Sequence, residues 1–415
     1  MNSKTIVVSD DMNLYSKLRL PDEFDRDLKT LLFSMAFRRI TLGFLVLVRP
    51  IYFALLGFSP TTIGLLLSVS TFVTALRHIT FGILSDRYGR KPFILLGAVC
   101  ETIRPVIFAL STDIWLLALA QAIGALDEGA GAGQPVVSGY ITDKTRDSQR
   151  PRVFTTLGIT NALATTLGFL MTSLIALFQN NLGLNMIAAY SWLWWIGAAA
   201  SAASMLAVLY LREAAHIERN EVKEENFMGV KSWAVIARFS LVRSLSGLGW
   251  GLIGSLLPLY FFIRFGVGSE VLGPVYAFTR LLTVFTYLSI PKIIIRFGEI
   301  GTIILSRFAA ASVAVAFSIT DWYALALFLL ILYRVLIHFT MPIRQSFATT
   351  LADSEETATV VGVSNFSRMT FQTMAPTAAG YMFETLSLSL PFLFGSGLIV
   401  ANAILYNVFY NPKKK

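Results

Sequence analysis

The stretch Gly82-Ile83-Leu84-Ser85-Asp86-Arg87-Tyr88-Gly89-Arg90-Lys91 decides how the chain must be read. It joins two strongly apolar segments, residues 61–81 and 92–110, and cannot itself be apolar. Each flank holds about 20 residues, the length of one helical crossing of a bilayer. Between them stand Asp86, Arg87, Arg90 and Lys91, spaced by Gly82 and Gly89. Three cations over five residues mark a connection on the cytoplasmic side. Gly82 lets another helix approach the end of the preceding span, and Gly89 permits a tight turn with φ > 0. In a soluble protein the same residues would pass for a surface turn; the two flanks weigh against it.

Composition agrees. Hydrophobic residues make up 55% of the chain, charged residues 14%, and the mean hydropathy is +0.65. A soluble globular protein carries roughly 45–50% apolar and about 25% charged residues. The chain of 415 residues has room for about twelve spans with short connections. The spans predicted from hydropathy are 31–57, 61–83, 92–110, 114–141, 152–178 and 187–211, then 233–263, 269–291, 299–319, 322–346, 359–385 and 388–410. Residues 1–30 are polar, of mixed charge and without the plan of a cleaved signal peptide, so the first span is expected to target the chain to the membrane. Residues 13–30 space Leu14, Leu18, Leu20, Phe24 and Leu28 as a membrane-surface helix would.

Lys and Arg give the orientation. Arg87, Arg90, Lys91, Lys144, Arg146, Arg150, Arg152, Lys292, Arg296 and Lys413–Lys415 fall on one side, whereas the opposite connections contain only Arg264. This asymmetry places both termini in the cytoplasm. It also accounts for the net charge of +9 without nucleic-acid binding, since the cations are scattered among loops beside apolar helices. The organisation expected is a cytosolic segment 1–30, a six-helix bundle 31–211, a charged linker 212–231, a second bundle 232–410 and a basic tail 411–415.

The connection at 82–91 resembles the loop 2–3 signature of the major facilitator superfamily: Gly, two loose positions, a small residue, Asp-Arg, a loose position, Gly-Arg and a basic residue. These fall on Gly82, Ser85, Asp86, Arg87, Gly89, Arg90 and Lys91. The resemblance implies an all-α membrane protein of twelve transmembrane helices, in two pseudo-symmetric six-helix bundles that rock about a site lined by the first, fourth, seventh and tenth spans. It also implies that Gly82, Asp86, Arg87, Gly89 and Arg90, with Asp143, act as a conformational gate. Internal repetition supports the six-plus-six plan. Leu157-Gly158-Ile159-Thr160-Asn161 matches Val361-Gly362-Val363-Ser364-Asn365, and Arg87-Tyr88-Gly89 matches Arg296-Phe297-Gly298.

Charges inside spans are costly and usually face a cavity or a partner. Asp127 and Glu128 lie about halfway along the fourth span, where a carboxyl group can be poised to take up and release a proton. The alternative is a static ion pair with Arg104 or Arg38. Arg38, Arg280, Arg334 and His338 are the candidate substrate residues, because buried guanidiniums outnumbering carboxylates suit an anion. Arg334 and His338 are four apart and share a helix face. Glu101 and Arg104 read as an intrahelical pair, while Arg39, Arg77 and Arg307 lie nearer the cytoplasmic ends, where long side chains snorkel. Gly129-xxx-Gly133 and Gly247-xxx-Gly251 read as helix-packing seams, and Trp192, Trp194 and Trp195 as an interfacial belt.

Cys100 is the only cysteine, and no phosphate-binding glycine loop or metal-ligand spacing is present. No cofactor, metal or enzymatic activity is expected. The expected function is secondary active transport of a small molecule across the cytoplasmic membrane, coupled to protons, with an organic anion or an exported drug or metabolite as substrate. A non-transporting receptor or scaffold on the same fold, or a uniporter or Na⁺-coupled importer, is the alternative. The expected partners are substrate, protons and membrane lipids, and the expected state is a monomer.

Overall fold

Polar residues at the loop boundaries start the helices. Ser59 accepts the Thr62 N–H ahead of Pro60, Asp113 accepts those of Trp115 and Leu116 at 3.0 Å, and Asn185 accepts that of Ala188 at 2.8 Å. The computed structural model describes residues 24–126, 135–146, 148–213, 233–349, 351 and 357–410. In the first half the helices are α1 Arg26–Leu55, α2 Pro60–Tyr88, α3 Lys91–Leu110, α4 Ile114–Ala125, α5 Pro135–Lys144, α6 Arg150–Met171, α7 Leu174–Leu182 and α8 Met186–Leu209. In the second they are α9 Trp233–Gly254, α10 Leu257–Phe265, α11 Ser269–Tyr287, α12 Ile290–Ile319, α13 Tyr323–Phe339, α14 Met341–Thr349, α15 Thr357–Thr385 and α16 Leu390–Tyr410. Nine helical stretches among the described residues are long and apolar enough to cross a membrane; α11, α15 and the α4–α5 pair take the remaining three places in the expected order.

Several expected spans are broken. The fifth is α6 followed by α7, the seventh α9 followed by α10, and the tenth α13 followed by α14. Pro258 and Pro342 sit in the first turn after two of these breaks, where a missing N–H is tolerated. The ninth extends back to Ile290 across a kink at Gly298, whose φ of 71° matches the left-handed turn of Gly89 at 94°. Both glycines end the related Arg-Tyr-Gly and Arg-Phe-Gly triplets.

Packing repeats as well. In the first half α1 packs on α6 and α8, and α3 on α8; in the second α9 packs on α15 and α16, and α12 on α16. The α9–α15 seam is close at Gly247, where a Cβ would lie 2.2 Å from the Arg368 carbonyl oxygen, and at Gly251, where it would meet Ala375. Gly129 and Gly133 lie outside the described residues. Trp192 and Trp195 are half exposed, as a belt requires, but Trp194 is fully buried in an aromatic cluster with Phe44, Tyr52 and Phe108. A residue two positions from Trp192 on a helix points to the far side, so the three cannot share one face. Phe24 and Leu28 are also buried, so this part of the expected surface helix joins the core, while residues 13–23 lie outside the described residues.

The halves meet along α2–α15 and α6–α11. Among the described residues, the hydrogen bonds joining them sit at the end away from the basic loops. Ser68 Oγ lies 2.8 Å from Thr377 Oγ1, Thr172 donates to the Ser269 carbonyl at 2.7 Å, Tyr190 meets Ser269 Oγ at 2.8 Å, and Glu384 accepts the Thr61 N–H at 3.1 Å. Two glycines allow this closure: a Cβ at Gly64 would lie 2.2 Å from the Pro376 oxygen, and one at Gly380 2.1 Å from the Pro60 oxygen. Replacing Ser68 and Thr377 by cysteine in a Cys100→Ser protein should therefore give an efficient disulfide under copper phenanthroline. Adding Gly380→Leu should sharply lower its yield; an unchanged yield would show that the seam does not depend on that approach.

Candidate functional site

At the basic end, Gly89 ends α2 and the chain reverses into α3. Arg90 then turns back into the first half: it pairs with Asp86, donates to Ser85 Oγ at 2.9 Å and reaches Asp143 at 3.3 Å. Gly139 of α5 leaves the room for this guanidinium, since a Cβ there would lie 2.3 Å from its central carbon. Gly82 contributes its carbonyl to Ser85 Oγ, whereas Arg87 is exposed beside the Tyr88 ring. Glu213 accepts the Arg90 N–H at 2.9 Å and the Lys91 N–H at 3.1 Å, placing a carboxylate on the N-terminus of α3. Its place in the charged linker gave no hint of this role. Lys144 is held by Asp27 at 2.7 Å.

Inside the first half, several buried cations find partners. Arg104 and Glu101 form the expected intrahelical ion pair with both side chains fully buried, and Gly124 clears the space for the Arg104 stem. Arg38 is buried within the field of Glu101. Arg49, which the sequence reading passed over, donates to Gln121 Oε1 at 3.0 Å. Arg77 does not snorkel: it is 4% exposed and donates to the Leu126 carbonyl at 2.9 Å. Arg38, Arg77, His78 and Gly82 line a cavity of about 20 Å³, room for about one water. Asp127 and Glu128 lie outside the described residues.

The second half differs. A cavity of about 340 Å³ is lined by Arg243 of α9, Arg307 of α12, Arg344 of α14 and Arg368 of α15, together with Trp250 and His338. That volume suits a small organic molecule. None of the described lining residues is a carboxylate. The guanidiniums are held by neutral acceptors: Arg243 by Asn365, Arg307 by Ser246 Oγ at 3.0 Å, Arg344 by the Thr340 and Ile337 carbonyls at 3.4 Å, and Arg368 by Gln372 at 2.7 Å. The Nε atoms of Arg243 and Arg307 are buried without any hydrogen-bond partner. These groups are oriented without being neutralised.

The candidate substrate residues therefore separate. His338 lines the large cavity, edge-on to Trp250 at 5.3 Å. Arg334 instead stacks over the Tyr276 ring at 3.5 Å and donates to Thr279 at 3.1 Å, bound to α11. Arg280, on α11, stands in the field of Arg39, Arg334 and His338 and is not among the lining residues. Arg38 lies in the other half. Arg307 corrects the snorkelling expectation, being only 3% exposed, and Arg243 and Arg344 were not singled out from sequence.

Two helical bundles of membrane-spanning length, joined at one end and carrying a polar cavity, define a multi-pass membrane transporter of small molecules. A family model described as Major Facilitator Superfamily matches residues 31–376, and the chain belongs to that superfamily. It is 36% identical over 128 residues to the inner membrane transport protein YajR of Escherichia coli (strain K12), a match covering 30% of this chain and 27% of that protein. It is 20% identical over 381 residues to multidrug resistance protein 2 of Bacillus subtilis (strain 168), covering 90% of this chain and 92% of that one. The crystal structure of the nucleoside transporter NupG superposes with a TM-score of 0.72 at 16% identity, covering 93% of this chain and 99% of that one.

The buried Glu101–Arg104 pair makes a stability prediction. Glu101→Ala removes the carboxylate paired with a fully buried guanidinium and should cost about 3–5 kcal/mol, seen as a lower unfolding temperature in detergent. The double variant Glu101→Ala/Arg104→Met should recover most of the loss; an unchanged midpoint in the single variant would mean the pair does not support the fold.

Proposed function

We propose that the chain is a proton-coupled secondary transporter that exports a small organic anion by alternating access. One observation carries this reading: a cavity of about 340 Å³ lined, among the described residues, by four guanidiniums and no carboxylate. Planar forks of this kind suit carboxylate or phosphate oxygens better than a cationic drug. The positive-inside rule makes the basic end cytoplasmic. Closure at the other end then corresponds to an inward-facing state, ready to load from the cytosol. Export is favoured by the name of the long relative, multidrug resistance protein 2.

The proposal assigns the proton to Asp127 and Glu128, and control of the inward–outward equilibrium to the loop around Asp86, Arg87 and Arg90 with Asp143. Because Arg90 ties Asp86 and Asp143 within one bundle, that loop moves as a unit with the first half.

Proteoliposomes with an imposed pH gradient test the reading. Organic anions such as benzoate, phthalate and phenyl phosphate should be moved uphill, and lipophilic cations should not. Asp127→Asn with Glu128→Gln should abolish uphill movement while sparing exchange. Gradient-driven movement of the cations with no movement of any anion would overturn the anion reading, and normal uphill transport by the double variant would overturn the proton assignment.

A further inference from the structure

The second-half cavity carries more positive charge than one ordinary anion can answer. Arg243, Arg307, Arg344 and Arg368 arrive from four different helices. Arg344 lies in the field of Arg307 and of Arg368, and Arg243 lies in the fields of all three. Their hydrogen bonds go to an amide, a hydroxyl, backbone carbonyls and another amide, so the protein leaves the charge in place. Arg307 is 3% exposed and its Nε lacks an acceptor, as does that of Arg243. Guanidiniums that border a cavity and meet only neutral acceptors leave it electropositive, and an oxyanion entering it is drawn to their planar forks. Trp250, Ile337, Met341 and Ile399 give the cavity an apolar part of its wall, beside the neutral polar side chains of Ser246, Gln345 and Asn365 and the His338 ring. In the first half the fully buried Arg104 is paired with Glu101, and the cavity beside Arg38 and Arg77 is only about 20 Å³.

Resting on the anion reading above, we propose that this cavity binds the head group of a multiply charged oxyanion, a phosphate ester or a polycarboxylate, with its less polar body against Trp250. One negative charge would leave three guanidiniums facing each other. Two or more charges, spread over several oxygens, reach more than one fork at once. Charge number, rather than hydrophobicity, then sets affinity.

Calorimetric titration of the purified full chain at pH 8 and low salt tests this with three probes sharing one ring: benzoate, phthalate and phenyl phosphate. At least one of the two dianions should bind about tenfold or more tightly than benzoate, and which one does so separates a phosphate site from a carboxylate site. Arg307→Gln should weaken the preferred dianion by about tenfold and reduce its advantage over benzoate. Arg368→Gln, at a partly exposed position, gives the same reading should Arg307→Gln fail to fold, and each variant's unfolding temperature is recorded alongside. Benzoate binding as tightly as both dianions, or variants that keep the dianion preference, overturns the multivalent head group while leaving an anion transporter standing. Binding of none of the three overturns both readings.

Discussion

Buried positive charge without matching negative charge is the constraint around which the second half is built. Two unit charges about 8 Å apart repel by about 2 kcal/mol at an effective dielectric of about 20. A whole protein is stable by only about 5–15 kcal/mol, so several such terms are a large burden. The described structure meets it in two ways. Neutral acceptors such as Asn365, Ser246 and Gln372 fix the guanidiniums in place, and a cavity beside them keeps their exposed faces in a polar space. Collapse of that cavity in the absence of a counter-ion would strip the guanidiniums that border it of polar surroundings. An arrangement closed at the opposite end and hollow at these arginines is the form this charge distribution favours.

The two halves share a plan and differ in how they treat charge. Both place a left-handed glycine after the second helix of the repeat, Gly89 and Gly298, and both pack their first helix against their fifth. The first half supplies Glu101 to Arg104 and Gln121 to Arg49, and keeps a cavity of about 20 Å³. The second half keeps a cavity of about 340 Å³ with cations on four helices. A common ancestor of both halves would account for the shared frame, and the charge pattern marks where they diverged.

Depth in the membrane was legible in the sequence; direction around each helix was not. Hydropathy placed the spans, the loop at 82–91 gave the superfamily, and the triplets ending at Gly89 and Gly298 located two matching bends. The membrane helices are apolar on most sides, so no polar stripe fixes their rotation. Arg334 and His338 sit one turn apart, yet only the ring lines the cavity while the guanidinium turns to Tyr276. Arg307 looked like a residue that reaches the headgroups, but its helix aims it at Ser246. Arg243 lies ten residues into α9, where a cation near the basic end attracts no notice until α15 closes over it. Trp194 escaped for the same reason, sharing depth with its neighbours and facing inward.

The most direct test of the central claim is to locate a heavy oxyanion in the protein. Crystals soaked in molybdate and measured at the molybdenum absorption edge would show where a dianion settles. The account predicts an anomalous peak in the second-half cavity, in contact with Arg307 and at least one of Arg243, Arg344 and Arg368. A peak beside Arg38 and Arg77 with the larger cavity vacant would contradict it.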